Sequence, residues 1–403
     1  MPQQKNNSLP DSVVDLLRVH YNFDEIIDLQ HYDWNLNALK QKLIDLKKDY
    51  FNPNDRIIFF NREPGFFLRQ RDQIVWYNLQ KILSDLDISN RFCIVISQHD
   101  SQDYFNEIYK EISTDDFPIE VFNYWQFIDW MPLPVTDIGL NFDLIHKHYI
   151  TLNRIRKKHR SLVIGYLEYY NILDQGLVSY NAVRAADTYP NYPLMAEKDL
   201  IEDPSRCYQY LTVVPYTTLN EDWHVQNSES KKVLEMISNR GINWVYKNYH
   251  EPGDAENYKY TTNSNTNLLQ QAFLWIATES DAYCPVSFLS EKSAKSFYAK
   301  RPFVVISGPN TLKRIQSFGF KTFGDFWDES YDTELDICKR IQKVMKIVND
   351  ICQLSHSDIL SLANSMVDVL EYNYQHLLKF NEYQYNNIKK QILHNLNPSN
   401  DSN

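Results

Sequence analysis

The sequence predicts an α/β protein with parallel strands, arranged as two domains and ending in helices. Short apolar runs alternate with segments of helical period, the pattern of βα units. The stretch Trp130-Met131-Pro132-Leu133-Pro134 interrupts any regular element and marks a boundary near its end. A length of 403 residues suits two or three domains at roughly 100–200 residues each.

Each element has its own signal. Leu39, Leu43, Leu46 and Tyr50 recur at helical spacing until Pro53-Asn54-Asp55 breaks the helix. Ile57-Ile58-Phe59-Phe60 follows as a short buried strand. Ile74 to Leu83 reads as a helix, Phe92 to Ile96 as a second strand, and Ile119 to Phe122 as a third. A new βα series opens at Tyr149-Ile150-Thr151-Leu152-Asn153 and runs through a basic helix start, Arg154 to Arg160, into the apolar run Leu162–Leu173. Leu274–Ala277 and Phe303–Ser307 are further strands. Ile337, Ile341, Val344, Val348 and Ile351 mark an amphipathic helix. A second helix begins near Ser357, with Ile359, Leu362, Met366, Val369 and Leu370 on its apolar face.

Composition removes several classes. The formal charge is −11, which disfavours a general nucleic-acid binder while leaving room for a local basic cleft. Only 9 residues are Gly, and neither G-x-G-x-x-G nor G-x-x-x-x-G-K-[ST] occurs, so a fold built on several Gly-rich phosphate loops is not expected. No apolar run reaches the ~18 residues of a membrane span, and the first residues lack an apolar signal-peptide core. The five cysteines are scattered and never in C-x-x-C spacing, which predicts neither zinc site nor disulfide framework and places the chain in the cytoplasm. Asp85-Leu86-Asp87 sits at a helix end rather than after a strand, so a D-x-D metal site is not expected. No G-x-S-x-G or H-E-x-x-H supports a hydrolase.

The most informative segment is 288–328. Ser287 or Ser290 caps a helix whose first turns carry Glu291, Lys292 and Lys295. A helix N-terminus offers unpaired N–H groups and a positive dipole end to a diphosphate. Lys292 adds a point charge there, and Glu291 is able to accept hydrogen bonds from a ribose diol. The same residues also fit a plain capped helix with a solvated basic face. The segment 149–160 places Asn153-Arg154 at the carboxyl end of a strand, where ligands of open α/β sheets bind. Arg154, with Arg160 next, suits bidentate phosphate recognition; a solvated basic helix start is the alternative. Thr278-Glu279-Ser280 also follows a strand, and Glu279 either lines a donor pocket or caps the next element.

Ser290-Glu291-Lys292 with Lys300-Arg301-Pro302-Phe303 resembles the [ST]-E-K…P-[VF] segment of fucosyltransferase-like GT-B glycosyltransferases. The tail 319–332 and the stretch 149–180, an L-N-R…L-x-x-G-x-x-S pattern, are similar to glycosyltransferases of bacteriophages and large viruses. The resemblance implies two Rossmann-like domains of GT-B type: an acceptor-side domain over 1–145, a nucleotide-sugar domain over 146–352, and C-terminal helices with a polar tail over 353–403. It implies that Glu291 contacts the donor ribose and Lys292 faces the donor phosphates. The implied reaction is metal-independent transfer of a sugar from a nucleoside-diphosphate sugar to a hydroxyl of a glycan or other acceptor, with inversion. A base is then needed to take the acceptor's proton. Glu63, in Asn61-Arg62-Glu63-Pro64 after a strand, is similar to the loop Glu such enzymes use; His99 after the next strand is the other candidate. Since some phages glycosylate modified DNA bases, DNA is an alternative acceptor, against the sign of the net charge. A non-catalytic nucleotide- or sugar-binding protein is the remaining alternative.

Overall fold

The structure, a computed structural model, describes residues 11–23, 26–28, 36–50, 56–61, 85–86, 93–97, 119–125, 139–155, 158–183, 228–239, 246–247, 266–279, 282, 287 and 289–396. The chain divides into two compact units: Met1–Asp129 together with Lys379–Asn403, and Trp130–Leu378. Each is an α/β unit built on a parallel sheet, so the fold is of two Rossmann-like units with C-terminal helices.

In the first unit α1 (Asp11–His20), β1 (Ile26–Asp28), α2 (Leu36–Tyr50), β2 (Ile57–Asn61), β3 (Cys93–Ser97) and β4 (Ile119–Asn123) follow one another. The sheet order is β1-β2-β3-β4 and every pairing is parallel. β2 lies inside the sheet, and Ile57, Ile58, Phe59 and Phe60 are all buried. A strand covered on both faces reads as a continuous apolar run, which is why this one was visible in the sequence. Ile58 and Phe60 share a face and join Val13, Leu16 and Leu17 in one core. Those three α1 residues have i, i+3, i+4 spacing, the apolar stripe of a surface helix. The helix expected over Ile74–Leu83 lies outside the described residues.

The second unit contains β5 (Lys147–Ile155), α3 (Lys158–Tyr169), β6 (Gly176–Val183), α4 (Ser228–Asn239), β7 (Tyr246–Lys247), α5 (Thr266–Gln270), β8 (Ala272–Thr278), α6 (Glu291–Ala299), β9 (Phe303–Ile306), α7 (Thr311–Ser317), α8 (Ile337–Cys352), α9 (His356–Ser365) and α10 (Val367–Leu378). Its sheet order is β7-β6-β5-β8-β9, with β7 antiparallel at the edge. The chain builds outward from β5 to β6, then returns to place β8 on the other side of β5. That reversal makes the β5/β8 gap a topological switch point. β6 was not read as a strand in the sequence. It pairs Gly176 with Tyr149, whose ring covers the glycine.

The tail 319–332 is packed into this unit. Phe320 stacks on Phe297 of α6 with centroids 4.1 Å apart, and Phe323 meets Phe303 of β9 edge-on at 5.3 Å. Its acids hold backbone: Glu329 accepts from Phe323 N at 2.8 Å, and Asp332 accepts from Leu312 N and Lys313 N at 2.7 and 3.1 Å, capping α7. Lys300 ends α6 in the left-handed region (φ 50°) and pairs with Glu371 of α10 at 2.7 Å. Arg301 is buried and donates to four carbonyls, those of Ala272, Lys300, Asn141 and Gln270. The helix expected from Ser357 starts at His356, with Ser355 and Asp358 forming a capping box, and divides at Met366. There Met366 N bonds Ala363 O, a tightened turn that ends α9 before α10 resumes.

The last helix, α11 (Phe380–Leu396), belongs to the first unit. Ile388 and Ile392 enter the core of Val13 and Phe60, and Trp125 N donates to Gln384 Oε1 at 2.5 Å. The C-terminal helices therefore divide between the units after Leu378.

Candidate functional site

At the switch point the ends of β5 and β8 are tied by side chains. Thr278 Oγ1 donates to Asn153 Oδ1 at 2.5 Å, Asn153 Nδ2 donates to Thr151 Oγ1 at 3.1 Å, and Thr151 Oγ1 donates to Ile276 O at 3.3 Å. Thr151, Asn153 and Thr278 are all buried. Buried polar groups this close must be paired, and here they pair with one another across two strands.

The next residue, Glu279, is the centre of the arrangement. Its side chain is wholly buried. Oε1 accepts from Ser290 N at 3.0 Å, Ser293 N at 3.2 Å and Ser293 Oγ at 2.5 Å, and Oε2 accepts from Ser290 Oγ. Its backbone is held as firmly. Glu279 N donates to Ile306 O at 2.9 Å, while its carbonyl meets His159 Nε2 at 2.9 Å and accepts from Arg160 Nη2 at 3.2 Å. Both His159 and Arg160 lie in the first turn of α3 and are buried. The opening of α3, the end of β8 and the opening of α6 thus converge on one carboxylate residue.

α6 carries the exposed chemistry. Ser290 is its N-cap, with Oγ accepting from Lys292 N at 3.2 Å. Lys292 Nζ reaches Glu291 Oε1 at 3.1 Å and Ser290 Oγ at 3.1 Å. The Glu291 and Lys292 side chains are about a quarter exposed, at 25% and 22%. Burial pushes the Glu291 carboxyl up, but Lys292 and Lys295 outweigh it and hold the group down at about 2. Burial pulls the Arg160 guanidinium down to about 10, against the opposing charges of Glu279 and Glu291. The arrangement offers an ionised carboxylate and an ammonium side by side at the carboxyl edge of a sheet. Hydroxyls of a diol fit the first, and phosphate oxygens fit the second.

Of the residues selected from sequence, Arg160, Glu279, Ser290, Glu291, Lys292 and Lys295 come together here. Arg154 lies on β5 at the register shift between Asn153 and Ile155. Arg160 engages the Thr278 and Glu279 carbonyls, at 3.3 and 3.2 Å. The backbone N–H groups of Ser290, Lys292 and Ser293, expected to meet a diphosphate, are engaged by Glu279 and Ser290 side chains. Glu63 and His99 lie outside the described residues. Sequence reasoning did not single out His159, Ser293 or the role of Asn153. The Ser-x-x-Ser spacing at the start of α6 was the available signal for Ser293.

No family model matches the chain, and no curated protein matches it. Among solved structures, it is similar to the N-terminal domain of Candida albicans trehalose-6-phosphate phosphatase, at 10% identity and a TM-score of 0.40, over 89% of this chain and 74% of that one. It is also similar to the trehalose-6-phosphate synthase OtsA, at 12% identity and a TM-score of 0.37, over 89% of this chain and 76% of that one. Neither of these proteins is a fucosyltransferase-like or phage enzyme. Among the described residues, no helix is long and apolar enough to cross a membrane.

Proposed function

We propose that the protein is a glycosyltransferase of GT-B type that binds a nucleoside-diphosphate sugar at the β5/β8 switch point. One observation carries the reading. The two segments that resemble glycosyltransferases, 149–180 and 278–332, converge on one hydrogen-bonded network through Asn153–Thr278 and Glu279–Ser290. An ion pair with side chains about a quarter exposed, Glu291 and Lys292, stands beside it.

In this reading Glu291 accepts from the donor ribose, and Lys292 and Arg154 face the diphosphate, with Lys295 adding charge. The acceptor oxygen attacks the anomeric carbon as the bond to the diphosphate oxygen breaks, and the acceptor's proton passes to a base. Glu63 is that base, with His99 the other candidate. Negative charge growing on the leaving diphosphate is met by cations already in place, so little reorganisation is needed at the moment of transfer. No metal is required for these roles, and the acceptor is a hydroxyl of a glycan or similar molecule.

The test is a thermal-shift screen of the purified chain against UDP, GDP, CMP, dTDP and their sugars, with and without EDTA. At 100 times Kd, binding stabilises by roughly 2.7 kcal/mol. The expected outcome is a shift with one nucleotide that EDTA does not change and that Glu291→Ala or Lys292→Ala abolishes. A folded protein that shifts with none of them overturns the reading. Binding without turnover of any acceptor, and without slow donor hydrolysis, identifies a binding module instead.

A further inference from the structure

Glu279 is closed to a ligand by burial: the side chain is 0% exposed. Four donors, two from Ser290 and two from Ser293, hold its carboxylate, three on Oε1 and one on Oε2. A helix begins with N–H groups that have no intrahelical partner, so its first turn stays loose unless something binds them. In α6 that first turn holds Glu291 and Lys292, the pair the proposed function depends on. The carboxylate doing the binding is itself anchored on two sides, by Ile306 O through its own N–H and by His159 and Arg160 through its carbonyl.

We propose that Glu279 is a positioning residue, which locks the first turn of α6 to the β8 edge so that Glu291 and Lys292 are presented to the ligand, and which does not touch the ligand itself. The nucleotide part of this inference rests on the function proposed above; the locking part does not.

Two measurements separate them. The first is ligand-free hydrogen exchange of the peptide spanning 287–300 in the full chain. Glu279→Ala should speed exchange of the Ser290, Lys292 and Ser293 amides more than tenfold, while peptides from β8 and β9 keep their protection. Unchanged exchange there overturns the proposal whatever the protein binds. The second is the Kd of whichever nucleotide shifts the wild type, measured on folded protein. Glu279→Ala should raise it at least tenfold, and Glu279→Gln, which keeps an acceptor oxygen for the Ser290 and Ser293 donors, should stay within about threefold. Equal losses in Ala and Gln would show that the carboxylate charge meets the ligand, and an unchanged Kd with a lower Tm would show a purely structural role; either result overturns the proposal. Should Glu279→Ala fail to fold, Ser293→Ala removes one of the four donors and should move both readouts in the same direction by less. A wild type that binds no nucleotide, with α6 exchange still released by Glu279→Ala, would sink the donor site and leave the lock standing.

Discussion

Tyr149 lies across Gly176 so closely that a Cβ at Gly176 would fall 2.2 Å from a ring carbon. The two residues are direct partners in the β5–β6 ladder, and Tyr149 Oη donates to Ile172 O at 2.9 Å, fixing the ring in place. Here glycine is required for space rather than for an unusual backbone angle.

Gly176→Ala should therefore destabilise the second unit by about 1–3 kcal/mol, the usual cost of forcing atoms into a filled core. Urea unfolding followed by tyrosine and tryptophan fluorescence measures it. A change within about 0.5 kcal/mol would mean that the ring moves aside freely.

Arg301 should behave as a structural cation. It fans out to four backbone carbonyls, and burial holds its guanidinium down at about 10. Lysine cannot reproduce that planar fork. Arg301→Lys should cost about 1–3 kcal/mol, the range for leaving buried polar groups unpaired. Nucleotide affinity of the folded variant should be unchanged, and a tenfold loss of affinity would instead place Arg301 against the ligand.

The acid limb of stability should report Glu291. Its carboxyl is depressed from 4.5 to about 2 in the folded state. A depressed carboxyl contributes stability above the unfolded value and loses it as pH falls through the folded one. The Tm difference between wild type and Glu291→Gln should be full above pH 4.5, shrink below it, and close near pH 2. A gap that does not change between pH 6 and pH 2.5 would contradict the ion pair with Lys292.

Ile388 on α11 is fully buried in the core shared with Val13, Ile58 and Phe60. Ile388→Ala should cost about 2–5 kcal/mol, combining lost burial with the cavity left behind. The loss should fall on the unfolding of the first unit, read by the fluorescence of Trp125. A substitution tolerated within 1 kcal/mol would detach α11 from that core.

What the sequence revealed follows from how local each signal is. β2, β8 and β9 stood out because strands buried on both faces are continuous apolar runs. The Ser290 cap and the α8 stripe from Ile337 to Ile351 were visible because caps and helical spacing act within one or a few turns. β6 escaped because Gly176-Leu177-Val178-Ser179 mixes a glycine and polar residues into the strand, and its glycine only makes sense once Tyr149 is seen above it. The site was half visible. Glu291 and Lys292 are neighbours in sequence, but Asn153 and Thr278 meet across 125 positions, and Glu279 reaches Ser290 across 11. No periodicity encodes such pairings. The same non-locality explains why Glu279 reads in sequence either as a pocket residue or as a cap of the next element, while its contacts with Ser290 and Ser293 are those of a cap.

The division of the chain at Leu378 also sets an order of events during synthesis. The N-terminal stretch emerges from the ribosome long before its partner helix, because all of Trp130–Leu378 is made in between. Domains fold as units once their chain is available. The second unit is therefore complete first, while Val13, Leu16, Ile58, Phe60 and Phe122 wait for Ile388 and Ile392. The nascent protein passes through a stage with one finished half and one greasy, open half, and that stage is where chaperones and aggregation compete for it.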